Sequence, residues 1–170
     1  MTDAHRAPHP LLIARVLPKG AAIILREYDN PRRGALAAQL KAVCVARGLK
    51  LIIGADVELA CKLNADGVHL PRWLRHANIM PKDMIVTAAC HDASEFNRAK
   101  QAGANLAFLS PAFPTHSHKG APALGAERFR KLANASPLPV LALGGVDETN
   151  ALKLSGQNTV GLAAIGAFLK

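Results

Sequence analysis

Aromatic residues make up only 4% of this chain, with a single tryptophan and a single tyrosine. That scarcity removes the stacking platform on which single-stranded nucleic-acid binders rely. No apolar run approaches the ~20 residues that span a bilayer, and the opening MTDAHRAPHP lacks the apolar core of a signal peptide. Three cysteines, Cys44, Cys61 and Cys90, show no C-x-x-C spacing. They read as small buried hydrophobes, with Cys90, near a strand end, the one candidate for a reactive thiol. Acidic residues are few, 12 against 21 Lys and Arg. The resulting charge of +9 is scattered over helical stretches (Arg32, Arg33, Lys41, Arg47, Lys50, Arg98, Lys100, Arg128, Arg130, Lys131) and favours anionic ligands without specifying nucleic acid. A cytoplasmic protein with no membrane partner is expected.

Half of the 170 residues are hydrophobic, enough for one core, and residues 1–170 are read as a single domain. Short apolar runs alternate with Ala/Leu-rich helical patterns. The strand candidates are Ala21–Leu25, Leu49–Ile53, Gly67–Leu70, Met84–Ala88, Asn105–Leu109, Leu138–Leu143 and Thr159–Leu162. One helix begins at Pro31 and stops at Gly48. A second has Asp92 as N-cap, Glu95 completing a capping box and Gly103 as its stop. GAERFRKLANAS and DETNALKLSG read as two more helices. Buried strands separated by helices indicate a parallel sheet, either a closed (β/α)8 barrel or an open doubly wound sheet. Seven strands are one short of a barrel, and the chain is shorter than the ~200 residues usual for one.

In either architecture ligands bind at the carboxyl ends of the strands. Arg26, Gly54, His69, Ala89, Ser110 and Gly144 fall there. Gly144 and Gly145 follow a buried strand, where free N–H groups can meet a phosphate or simply form a tight turn. FLSPAFPTHSHKGAPALG, Phe108–Gly125, crowds hydroxyls and cations onto a stiff backbone just after a strand. Thr115 and Ser117 could both donate to phosphate oxygens, with His116 and His118 on the other side; two histidines alone make a weak metal site. His69 is either a satisfied core residue or a base. Arg26 suits a bidentate phosphate contact, or an ion pair with Glu27 or Asp29.

The ordered set LRE, ADGVHL, SPAFPTHSHKGAPALG, PVLALGGV and GLAAIGAF resembles the thiamine phosphate synthase/TenI family, over nearly the whole chain from Arg26 onward. The resemblance implies a (β/α)8 barrel whose first strand ends in a Thr-Asp pair, here Thr2-Asp3. Most of strand one would then be missing, leaving two exposed sheet edges and a tendency to homo-oligomerise. It implies the joining of hydroxymethylpyrimidine diphosphate to thiazole phosphate, with Mg²⁺ and loss of pyrophosphate, through a dissociative step in which the protein positions and stabilises charge. Carried over by position, the resemblance makes Arg26, Ser117 and His118 catalytic. It places Arg26, Thr115, Ser117, Lys119, Gly144, Gly145, Ile165 and Gly166 on a phosphorylated thiazole or pyrimidine ligand.

The family's pattern is kept unevenly. Its Gln-x-Arg-x-Lys strand end is Ile24, Arg26 and Tyr28 here, its Asn-Asp pair is Gly54 and Ala55 with Asp56 next, and its second magnesium carboxylate falls near Leu74. The serine after its fifth strand is Ala89. The thiazole-phosphate half survives, whereas the magnesium half is reduced to Asp56, and Mg²⁺ takes hard oxygen ligands. Three functions are therefore expected to compete. They are a synthase, a thiazole tautomerase in which His69, His91, His116 or His118 replaces the family histidine (here Pro111), and a non-catalytic binder of a phosphorylated ligand.

Overall fold

The computed structural model describes residues 1–74, 82–115 and 122–165. Seven parallel strands lie in sequence order: β1 (Ala22–Leu25), β2 (Lys50–Gly54), β3 (Gly67–Leu70), β4 (Ile85–Cys90), β5 (Leu106–Leu109), β6 (Val140–Leu143) and β7 (Thr159–Ala163). Helices α1 (Pro10–Val16), α2 (Arg33–Arg47), α3 (Val57–Lys62), α4 (Ala93–Gln101) and α5 (Gly125–Asn134) connect them, and a 3₁₀ helix, Ala151–Leu154, precedes β7. All neighbouring strands are parallel.

The strands put alternate residues on two faces. Leu25, Ile53, Val68, Val86, Ala107 and Val140 pack outward against helix residues such as Leu40, Phe96 and Phe129. Ile24, Ile52 and Phe108 form a second, inner cluster with Met1, Ile85, Leu141 and Ala163. That inner cluster joins residues from both ends of the strand order, so the sheet must curl. Residues 1–2 mark the seam, for the Met1 N–H donates to Ala164 O at 3.0 Å and the Thr2 N–H to Ile24 O at 2.8 Å. The observed architecture is thus a curled parallel sheet of seven strands. Residues 1–2 lie between β1 and the end of β7.

Local signals explain most elements. Gly48 ends α2 in the left-handed conformation (φ 65°), as a helix stop requires. The Asp92 side chain accepts from the Glu95 N–H at 3.0 Å, capping α4. Glu95 closes the box one residue further back than expected, accepting from the His91 N–H at 2.7 Å. Replacing Asp92 with alanine is expected to lower unfolding free energy by about 1 kcal/mol, read as a lower urea midpoint at unchanged slope. α1 was not foreseen from the sequence. DETNALKLSG is not an α-helix. Asp147 accepts from both the N–H and the hydroxyl of Thr149, and Asn150 accepts from the Asp147 N–H, so side chains take the backbone partners a helix would use. The cysteine expectation needs one correction. Cys44 and Cys90 are buried, but Cys61 is exposed on α3. Burial pushes the Cys90 thiol up to about 12, which removes it as a reactive nucleophile.

Candidate functional site

The carboxyl ends of the strands bring the expected residues to one mouth. Gly54 closes β2, His69 lies in β3, Ala89 in β4, and Arg26, Ser110 and Gly144 follow β1, β5 and β6 directly. Gly54 pairs with His69, and His69 with Thr87.

Arg26 continues the inward series of Ala22 and Ile24. Its expected alternative, an ion pair with Glu27 or Asp29, does not form among the described residues. Glu27 instead accepts the Thr2 hydroxyl at 2.5 Å. Below Arg26 lies His69, 3% exposed, its Nδ1 2.8 Å from the Thr87 hydroxyl and its ring edge-on to Phe108. Burial, helped by the charge of Arg26, lowers its pKa from 6.5 to about 3. A permanently neutral, hydrogen-bonded imidazole at that depth is the satisfied core residue of the two expected alternatives.

The turn after β6 is clasped by the loop after β5. The Ala112 N–H donates to Leu143 O and the Phe113 N–H to Gly144 O, both at 2.9 Å. Gly144 and Gly145 have φ of 92° and 64°. A Cβ on Gly145 would lie 2.4 Å from Pro114 O, so the loop carrying Thr115 rests directly on the turn. Ile165 is half-buried just past β7. Ser117, His118, Lys119 and Gly166 lie outside the described residues. His91 sits after β4, its Nδ1 2.7 Å from Ser110 O. Since a carbonyl only accepts, Nδ1 is the donor in that bond.

Both oxygens of Asp56 have partners. One oxygen accepts the Leu59 N–H at 2.8 Å as N-cap of α3, and the other pairs with Arg33 at 3.1 Å. Every Asp and Glu in the chain falls within the described residues, and among those residues no three His, Cys, Asp or Glu side chains converge. The donor set here does not fit a magnesium ion, which takes several hard oxygens in octahedral array.

Tyr28, Trp73 and Arg33 at the same mouth escaped the sequence reading. Tyr28 lies over Gly54, where a Cβ would be 3.1 Å from the phenol oxygen, and meets Trp73 edge-on with ring centroids 5.6 Å apart. The glycine ending β2 was the available signal, because a missing side chain at a strand end leaves room for something to lie across it. A cavity of about 380 Å³ lies deeper, between the inner sheet face and the seam, lined by Met1, Ile13, Ile24, Ile52, Phe108 and Leu162 among others.

A curled parallel β/α sheet with a glycine turn clasped at its carboxyl ends defines the class as barrel-type β/α proteins. Within that class, the chain belongs to the thiamine monophosphate synthase family, whose profile matches residues 2–168. It is 30% identical over 138 residues to a thiamine-phosphate synthase of Clostridium tetani, covering 79% of this chain and 66% of that protein. It is 34% identical over 139 residues to the one of Geobacillus kaustophilus, covering 79% of this chain and 63% of that protein. The chain thus matches slightly under two thirds of the length of each of these relatives. Among solved structures, thiamine phosphate pyrophosphorylase from Pyrococcus furiosus superposes with a TM-score of 0.76 at 24% identity, over 96% of this chain and 82% of that one, a likeness of fold. No helix among the described residues is long and apolar enough to cross a membrane.

Proposed function

We propose that the protein acts in thiamine biosynthesis as a thiamine phosphate synthase-like transferase, joining a pyrimidine diphosphate to a thiazole phosphate with release of pyrophosphate. The observation that carries this reading is the clasp of the Gly144–Gly145 turn under the loop bearing Thr115. It sets a glycine turn beside the segment that leads into Thr115, and glycine N–H groups next to a hydroxyl support the reading of a phosphate bound by both. Thr115, Ser117, Lys119, Gly145, Ile165 and Gly166 would hold the thiazole phosphate. Arg26 would face the diphosphate, its fixed fork stabilising charge as the leaving group departs, and Ser117 and His118 would complete the reacting end. Residues 1–170 are taken as one domain, an eight-stranded barrel in which residues 1–2 stand in the place of the first strand. A homo-oligomer in the cytoplasm completes the reading.

His91 favours a second reading, a thiazole tautomerase. Its ring is oriented by the Ser110 carbonyl at the mouth where a ligand would bind, which suits a proton-shuttling role. Incubation with pyrimidine diphosphate and thiazole phosphate, followed by mass spectrometry, tests the first reading: thiamine phosphate should accumulate. No product, with His91-dependent isomerisation of the thiazole, would replace it with the second. Thiazole-phosphate binding with neither turnover would leave a non-catalytic binder.

A further inference from the structure

Where a metal site would need carboxylates, the mouth carries a guanidinium. Arg33, in the first turn of α2, reaches over the end of β2. Its Nη2 donates to Gly54 O, its Nη1 pairs with Asp56 at 3.1 Å, and its Cζ lies 5.7 Å from the centroid of the Tyr28 ring. The side chain is only 12% exposed, and its Nε is buried without a hydrogen-bond partner. Arg26 acts on the same tyrosine. Burial raises the Tyr28 pKa, while the charge and hydrogen bond of Arg26 and the charge of Arg33 oppose the rise. Two guanidiniums therefore bracket one phenol.

Two features of this arrangement are costly as they stand. Like charges held near one another repel; Asp56 pairs with Arg33, while Glu27, whose charge also acts on the phenol, makes no ion pair with Arg26 among the described residues. A buried N–H without an acceptor forfeits its hydration and gains nothing in return. A multiply charged oxyanion that meets both guanidiniums would relieve the repulsion and supply an acceptor. Gly54 also argues against a metal in that place. A Cβ there would be 2.9 Å from Leu25 O and 3.0 Å from the Tyr28 ring, so no oxygen-bearing side chain can stand on the strand end while Tyr28 lies over it.

We infer that Arg26 and Arg33 form a metal-independent anion subsite that takes the diphosphate end of the ligand. The inference rests on the proposed function only in taking this mouth to receive a phosphorylated ligand. Asp56 is then a positioning residue: anchored as the cap of α3, it fixes the fork of Arg33.

Calorimetric titration of the full chain with inorganic pyrophosphate, in EDTA and again with MgCl2, tests this, with thiazole phosphate as a separate titrant. Pyrophosphate is expected to bind in EDTA with a Kd within about threefold of the value in MgCl2. Arg33→Gln should weaken it at least tenfold while leaving thiazole-phosphate affinity within twofold. Arg33→Lys, which keeps the charge and loses the fork, should fall between the two. Asp56→Asn should still bind pyrophosphate in EDTA. If Arg33→Gln does not fold, the lysine and Asp56→Asn variants decide by the same criteria. Binding that needs MgCl2 and vanishes in Asp56→Asn would make Asp56 a metal ligand and overturn the subsite. Thiazole phosphate bound without pyrophosphate would overturn it too, leaving the proposed function intact. If neither binds, both readings fall.

Discussion

Gly145→Ala is expected to lower stability by about 3 kcal/mol and to weaken thiazole-phosphate binding at least tenfold. Two costs combine. An alanine in the left-handed region loses ~1–2 kcal/mol, and the φ here is 64°. The new methyl would also press on backbone, 2.4 Å from Pro114 O and 2.8 Å from Phe113 O. Neither carbonyl is the end of a flexible side chain, so the whole loop must move, and overpacking of that kind costs ~1–3 kcal/mol. Gly20 isolates the conformational share. Its φ is 86° and nothing lies within 4 Å of its would-be Cβ, so Gly20→Ala should show the backbone term alone. Urea unfolding of both variants, with calorimetry of thiazole phosphate, gives the comparison. A Gly145→Ala protein that binds as well as the parent would show that the loop's position on the turn is immaterial to the ligand.

The second large effect is on pH. His69 has a folded-state pKa of about 3 against 6.5 unfolded, so between those values the unfolded chain takes up a proton that the folded chain refuses. Its contribution is complete above pH 6.5 and drains away as pH falls towards 3. The slope is about 1.4 kcal/mol per pH unit, and the loss by pH 4 is on the order of 3 kcal/mol. Asp66 and Asp92, whose pKa values are lowered, contribute in the same direction, but only as pH falls through the ordinary carboxylate range and below it. The interval from pH 6 to 4.5 therefore reports chiefly on His69. His69→Gln, which can still hydrogen-bond Thr87, should flatten the dependence there even if it is less stable throughout. Denaturant midpoints at half-unit pH steps would show it, and an equal slope in the variant would rule His69 out as the source.

Strands were the most legible part of the sequence. Gly67–Leu70 matches its prediction residue for residue, because an apolar run bounded by Asp-Gly and Leu-Pro admits few alternatives. The clasped glycines and Arg26 were also visible, as residue types just past strand ends. Side chains that cross between elements were not. Arg33 read as one more scattered surface charge, since nothing linear tells that the first turn of a helix will lean over the following strand. α1 lacks a side-chain cap and spans 7 residues, too short for an apolar periodicity to declare itself. Asp56 was sought as a metal ligand, yet its place one residue before α3 marked it equally as a cap.

The seam gives ligand binding a second consequence. Every other strand boundary is a ladder of three or four register pairs, whereas among the described residues β1 and β7 are joined through the hydrogen bonds of two residues. The seam is therefore where the sheet opens most cheaply, and it runs into the mouth between Arg26 and Ile165. On the proposed function, a diphosphate at Arg26 and a thiazole phosphate at the backbone beyond β7, seated side by side, would act as a rivet across that opening. Their binding free energy would be spent partly on closing the protein, and the unoccupied chain would be correspondingly looser.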